Sequence, residues 1–198
     1  MSQVIADPKT AALLVMDYHT VVVHMVEVEK ERDALLARTA RLVDAARTAG
    51  MRVIYVVGGF RAGYPEVSPR NQGFAPLRES GRFVEGTAGM EVHAALAPRP
   101  EDVVVQKRRV SAFAGSDLEV VLRANGIDQL VLAGIATSGV VLSTVRAAAD
   151  ADYRLVVVAD CCADRDAEVH RVLVEKVFPR QATVVEAEKV IGALAVGR

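Results

Sequence analysis

Six short apolar runs, most of them uninterrupted and β-branched, constrain this chain more than any other feature. They are Ala11–Met16, Val53–Val57, Val103–Val105, Leu130–Ala133, Leu155–Ala159 and Ala182–Val185. They do not alternate apolar with polar residues, so each reads as a strand covered on both faces, as in a parallel sheet. Between them lie helical patterns. Leu35, Leu36, Leu42, Val43 and Ala46 recur at helical spacing, and Gly50 closes that helix. Ser116 and Glu119 have the spacing of a capping box, opening a helix that stops at Asn125–Gly126. Further helices are predicted over 140–150 and 168–178, with Pro179 ending the latter. Strand–helix alternation predicts an α/β fold: a three-layer sandwich, with a six-stranded, mostly parallel sheet and helices on both faces. No internal repeat or linker divides residues 1–198, so a single domain is expected.

Composition narrows the function classes. Lys and Arg number 24 against 25 Asp and Glu, giving a formal net charge of −1. Phosphate binding needs a clustered cationic excess, so no nucleic-acid partner is expected. The only two cysteines, Cys161 and Cys162, are adjacent, which excludes a disulfide framework and favours a reducing compartment. Residues 1–7 carry an acid and lack a basic start followed by an apolar core, so no signal peptide is expected. No apolar run is long enough to span a bilayer. The expectation is a cytoplasmic protein without a membrane partner.

One stretch breaks the rhythm. From about Gly58 to Gly89 the chain shows no clear period and holds seven glycines with Pro65, Pro69 and Pro76. Loops of this length are usually functional or packed on themselves. This one follows a strand, so it should lie over the carboxyl edge of the sheet, either beside a site or at a subunit contact.

Ligands of open parallel sheets bind outside the carboxyl ends of the strands. The first run delivers Asp17 there, the third delivers Lys107, and the fourth delivers the turn Gly134–Gly139. An Asp–Lys pair in a dry pocket would be a coupled proton-transfer device. The turn could add backbone N–H donors for an oxyanion. The spacing leaves two plainer readings open: Asp17 as a cap or sheet-end salt bridge, and Lys107 as part of a solvated edge with Arg108 and Arg109.

Three segments together resemble the isochorismatase-like hydrolase family. They are Leu13–Asp17, Lys107–Leu118 (KRRVSAFAGSDL) and Leu132–Thr144 (LAGIATSGVVLST); Glu85–Glu91 is similar to a fourth. The resemblance implies a parallel α/β sandwich and a homo-oligomer, dimer or tetramer. Many members are cysteine amidases with an Asp–Lys–Cys triad, and Asp17 and Lys107 match its first two positions. The third position is Gly139, which cannot act as a nucleophile. Isochorismatases proper also carry glycine there and cleave a vinyl ether. The resemblance thus implies Asp17 as general acid, Lys107 as its charge partner, and ether-bond rather than amide chemistry on a small, anionic metabolite. It also implies a cis peptide in the turn, at Ile135–Ala136. The substrate is expected to meet Ala136, Thr137 and Ser138 in the turn, Phe60 and Arg61 after the second strand, and Phe113 after the third.

The chain departs from the family pattern elsewhere. Tyr18–His19 replaces an apolar–Gln pair, and Gly58-Gly59-Phe60-Arg61 stands where an isochorismatase's substrate-binding glutamine is expected. No Asp-x-His element follows the second strand, and His19, His24, His93 and His170 lack ligand spacing. No metal and no cofactor are expected, and these histidines read as packing or surface residues. Cys161 and Cys162 read as small buried hydrophobes just past the fifth strand. Of Arg61, Arg70, Arg78, Arg82 and Arg109, one or two could hold a substrate carboxylate. The competing function is a catalytically inactive relative that binds a small molecule or builds an assembly.

Overall fold

The computed structural model of the chain describes residues 4–196. Its strands are β1 (Ala11–Met16), β2 (Arg52–Gly58), β3 (Val103–Lys107), β4 (Gln129–Ile135), β5 (Arg154–Ala163) and β6 (Thr183–Val185). They form one sheet in the order β3-β2-β1-β4-β5-β6, every neighbouring pair parallel. The helices are α1 (Thr20–Val23), α2 (Glu29–Thr48), α3 (Ala75–Ser80), α4 (Leu118–Ala124), α5 (Leu142–Asp150), α6 (Ala167–Val172) and α7 (Ala187–Val196).

Side chains alternate across a strand, so the two faces of the sheet follow residue parity. Leu13, Val15, Val53, Tyr55, Val131 and Val156 face α2 and α7, where Leu42, Val43, Ala46, Val190 and Leu194 meet them. Ala12, Leu14, Met16, Ile54, Leu130 and Leu132 face α4 and α5, with Leu118, Leu122, Val145 and Ala148. All six residues of β1 are buried, as expected of a central strand covered by both helical layers.

Two local expectations are corrected, and the irregular stretch is packed on itself. The 116–119 capping box does not form. The Ser116 hydroxyl accepts the Leu118 N–H at 3.3 Å, while Glu119 pairs with Arg123 one turn on. The irregular stretch contains α3, ended by Gly81 at φ +66°, and its own small core of Phe60, Tyr64 and Val67 packed by Phe74, Leu77 and Phe83. The fifth strand runs on past Asp160 to Ala163. A register shift against β4 absorbs the extra residues, and Cys162 pairs with Gly134. The two cysteines therefore lie within β5 rather than beyond it.

Strand order reverses between β1 and its two neighbours: the chain proceeds outward through β2 to β3, then returns to β4 on the other side. The carboxyl ends of β1, β2 and β4 flank that switch point, where a crevice opens in such sheets.

Candidate functional site

Asp17 is the first residue past β1 and takes φ +56°, in the left-handed region that side-chain-bearing residues seldom occupy. Its N–H still donates to Val56 O at 2.9 Å, so the main chain turns while tied to β2. This turn accompanies a carboxylate whose Oδ2 lies 2.8 Å from Lys107 Nζ. The Lys107 side chain is 6% exposed and that of Asp17 15%. Lys107 also donates to Arg109 O at 3.1 Å. Register explains the meeting. Met16 pairs with Val56, and Gly58 pairs with Lys107, so the ends of β1, β2 and β3 are staggered toward one point.

Gly58 stands between them. Its N–H is shared between Asp17 Oδ1 at 3.1 Å and His19 Nε2 at 3.0 Å. His19 Nδ1 lies 2.7 Å from Met90 O, a carbonyl that can only accept. The Nδ1–H tautomer satisfies both contacts, leaving Nε2 as the acceptor of the Gly58 N–H. His19 is thus a buried prop for the strand end that carries the acid.

Above this floor lies a cavity of about 340 Å³. Val22, Met25, Phe60, Phe74, Leu77 and Phe83 form its apolar wall; Asp17, His19 and Lys107 supply its polar floor. The irregular stretch thus contributes Phe60, Phe74, Leu77 and Phe83 as one side of the cavity. Gly139 borders the cavity too. A Cβ there would meet only Ala136 Cβ at 3.8 Å and Val110 Cγ1 at 3.9 Å, so the space before it is open.

Of the residues expected at the site, Asp17, Lys107, Gly139, Ala136 and Phe60 line this cavity. Four others do not. Thr137 is buried, its hydroxyl 2.8 Å from His170 Nδ1. Ser138 is exposed and its N–H donates to Asp164 Oδ2 at 2.6 Å. Arg61 is paired with Glu66 at 2.6 Å. Phe113 lies against Tyr153, ring centroids 6.0 Å apart, in the layer of α4 and α5. The turn is also a weaker oxyanion donor than its sequence implies. The Ser138 N–H is taken by Asp164, and the Gly139 and Val141 N–H groups turn back to Ala136 O. The Ile135–Ala136 peptide is cis.

From sequence alone His19 reads as a packing or surface residue, and Gly58 has no role beyond ending its strand. The available signal was position: His19 lies two residues beyond a strand-end aspartate, and Gly58 ends the strand beside it. Neither cysteine reaches the floor. Cys162 pairs with Gly134, which pairs with Met16, so two strand spacings, about 10 Å, separate it from β1. Burial pushes the Cys161 thiol up to about 12, and Cys162 is raised further by the same cause.

Among the described residues no helix is long and apolar enough to cross a membrane, and no group of three or more His, Cys, Asp or Glu could hold a metal ion.

The chain is an α/β protein whose doubly wound parallel sheet carries a charged pair beneath an apolar cavity. Residues 11–189 match the family model of the isochorismatase domain. YecD of Escherichia coli O157:H7, an uncharacterized isochorismatase family protein, is 33% identical over 186 residues, covering 94% of this chain and 97% of that one. The ureidoacrylate amidohydrolase RutB of Variovorax paradoxus is 39% identical over 137 residues, which cover 63% of this chain and 54% of RutB. The solved structure of an isochorismatase family protein from Burkholderia thailandensis aligns with a TM-score of 0.82 at 31% identity, covering 94% of this chain and 96% of that one. The chain belongs to the isochorismatase family of hydrolases.

Proposed function

We propose that this chain hydrolyses a small anionic metabolite by acid–base chemistry on Asp17, with Lys107 as its charge partner and no covalent thiol intermediate. The observation that carries the reading is the 2.8 Å Asp17–Lys107 pair on the floor of a cavity whose space before Gly139 is open. In the ether reading, the Asp17 carboxyl gives a proton to the alkene carbon of a vinyl ether. Water then adds to the resulting oxocarbenium ion, its surplus proton returns to Asp17, and the hemiketal breaks down to a carbonyl and an alcohol. Negative charge develops on Asp17 as the first proton leaves. Lys107 and the Gly58 N–H both stabilise that charge, so they bind the transition state more strongly than the protonated ground state.

A second reading is favoured by the likeness to RutB: water attacks the carbonyl carbon of an amide or ureido group, Asp17 takes the water's proton as general base, and that proton passes to the nitrogen as the C–N bond breaks. Its geometric support is thinner, because the turn's Ser138 and Gly139 N–H groups already have partners and leave a tetrahedral oxyanion fewer donors.

A turnover screen of vinyl ethers, amides and ureido compounds tests both readings. Wild type should turn over an ether, and Asp17→Asn should lose about 10²–10⁴-fold or more. Turnover confined to C–N substrates would select the second reading. Tight binding without turnover of any class would make the chain a binding protein.

A further inference from the structure

Three consecutive cations, Lys107, Arg108 and Arg109, border the cavity, and their charges are balanced very differently. Lys107 is held by Asp17. Arg108 is held by Glu85 at 2.6 Å and Glu66 at 3.6 Å, and it also donates to Gly59 O at 2.7 Å. Arg109 has no ion-pair partner among the described residues. Its guanidinium donates through Nη1 to Arg108 O at 2.6 Å and through Nη2 to Glu66 O at 3.0 Å. Those two carbonyls fix the group in place without cancelling its charge. An arginine carries five N–H donors in a rigid fork, so three remain. The result is an exposed, oriented cation at the cavity margin, beside an apolar wall.

We infer that Arg109 is the specificity residue that receives a carboxylate on the substrate, whose apolar body then lies along Phe60, Phe74 and Leu77 toward Asp17. The inference rests on the reading of this cavity as the substrate site, and it adds a chemical class: a small monocarboxylate with a planar or apolar body. Of the other candidate arginines, Arg70 and Arg78 do not line the cavity. Arg61 is paired with Glu66, and Arg82 lies over the Phe83 ring at 5.7 Å.

The test uses the full chain and two isosteric probes, benzoate and benzamide, titrated calorimetrically at low ionic strength. Benzoate should bind wild type more tightly than benzamide. Arg109→Gln should weaken benzoate about ten- to a hundredfold, the worth of a charge-assisted hydrogen bond, and leave benzamide unchanged. Arg109→Lys should restore part of the loss, because charge returns without the fork. Asp17→Asn should keep benzoate binding while losing turnover, which separates this inference from the proposed reaction. The inference is overturned if Arg109→Gln weakens both probes equally, as expected of an arginine that only ties the 66–109 contact. It is equally overturned if that variant weakens neither probe, or if wild type binds benzamide as well as benzoate or binds neither.

Discussion

Strand β3 has a buried ion pair at each end, and the two ends differ in what the pair leaves unfinished. At the amino end, Asp102 meets Arg47 from the last turn of α2. The guanidinium fork reaches both carboxylate oxygens, Arg99 N–H adds a third donor at 2.7 Å, and Tyr55 Oη accepts from Arg47 at 3.2 Å. The Asp102 side chain is 3% exposed. At the carboxyl end, Lys107 meets Asp17 over a cavity. An ammonium has three donors, and two are used, on Asp17 and on Arg109 O. Arginine does not give up its proton in proteins, whereas lysine can be tuned to do so. The amino-end pair is held by a cation that keeps its proton; the carboxyl-end pair has a cation that can give one up and an unused N–H donor beside the cavity of about 340 Å³, which suits it to proton transfer.

Neutralising each acid should separate the two roles. Asp17→Asn should cost the 10²–10⁴-fold in kcat expected of a positioned proton carrier, and it should cost less stability than its counterpart because Lys107 can still reach solvent through the cavity. Asp102→Asn should do the reverse. It takes the buried carboxylate from Arg47 and leaves only the exposed Asp44 at 3.4 Å, a loss of up to the roughly 3–5 kcal/mol of a broken buried pair, while the folded fraction keeps its kcat. Denaturant melts and kinetics on both variants check this. Equal stability losses with equal activity losses would erase the distinction between the two ends.

A finer test leaves both charges in place and disturbs only their spacing. A Cβ on Gly58 would sit 3.2 Å from Asp17 Oδ1 and 3.3 Å from Lys107 Nζ, closer than ordinary contact. Gly58→Ala should therefore push the pair apart by a few tenths of an ångström. Reaction rates are steep in such displacements, so a loss of about tenfold in kcat is expected, with the melting temperature close to wild type. An unchanged kcat would mean that the spacing of the pair does not matter.

Asp17 and Lys107 were legible because each is the first strong polar residue after an apolar run, and parallel strands deliver such residues to one edge. The partnership of Lys107 was masked by Arg108 and Arg109, which make the segment read as solvated. Burial follows instead from register, since Lys107 is set beside Gly58 rather than in solvent. The extension of β5 to Ala163 was invisible because Asp160 is a normal strand terminator; only pairing with β4 across a register shift carries the strand onward. The cavity wall was hidden for a similar reason. Phe60, Phe74, Leu77 and Phe83 have no common period, and they converge only because the stretch folds on its own small core. Arg61 and Phe113 failed as site residues through partners that no regular period announces: Glu66, five residues on in the irregular stretch, and Tyr153, in the layer of α4 and α5.

The turn beside the site carries a weaker, titratable support. Burial lowers the His170 imidazole below its ordinary range, partly opposed by Asp164, while Nδ1 lies 2.8 Å from the Thr137 hydroxyl. A histidine whose folded-state value is depressed favours the neutral form on folding. Its contribution is therefore complete above the unfolded value of about 6.5 and is lost as pH falls through that value toward the folded one. Stability should decline on that acid limb, and His170→Gln should make the limb shallower. Identical slopes in the two proteins would remove His170 from the account.

The smallest expected effect is none, and it concerns the thiols. Alkylation needs a thiolate that the reagent can reach. Cys161 is fully buried and Cys162 is 5% exposed; burial holds both thiols far above neutral pH, and Asp160 adds repulsion against ionisation of each. Both also lie in β5, with β4 between them and β1. A nucleophile must approach its target to about 3–3.5 Å, which two strand spacings forbid without rearrangement of the sheet. Iodoacetamide at pH 8 should therefore leave wild-type turnover intact, and Cys161→Ala/Cys162→Ala should match wild type in kcat even where lost packing lowers its melting temperature. Mass spectrometry should find both thiols unmodified in the folded protein. If alkylation abolished turnover and the double variant were already inactive, a thiol would have to reach the floor of the cavity. The open space before Gly139 would then be the route to examine, and the acid–base role of the Asp17–Lys107 pair would fall to that of an activator.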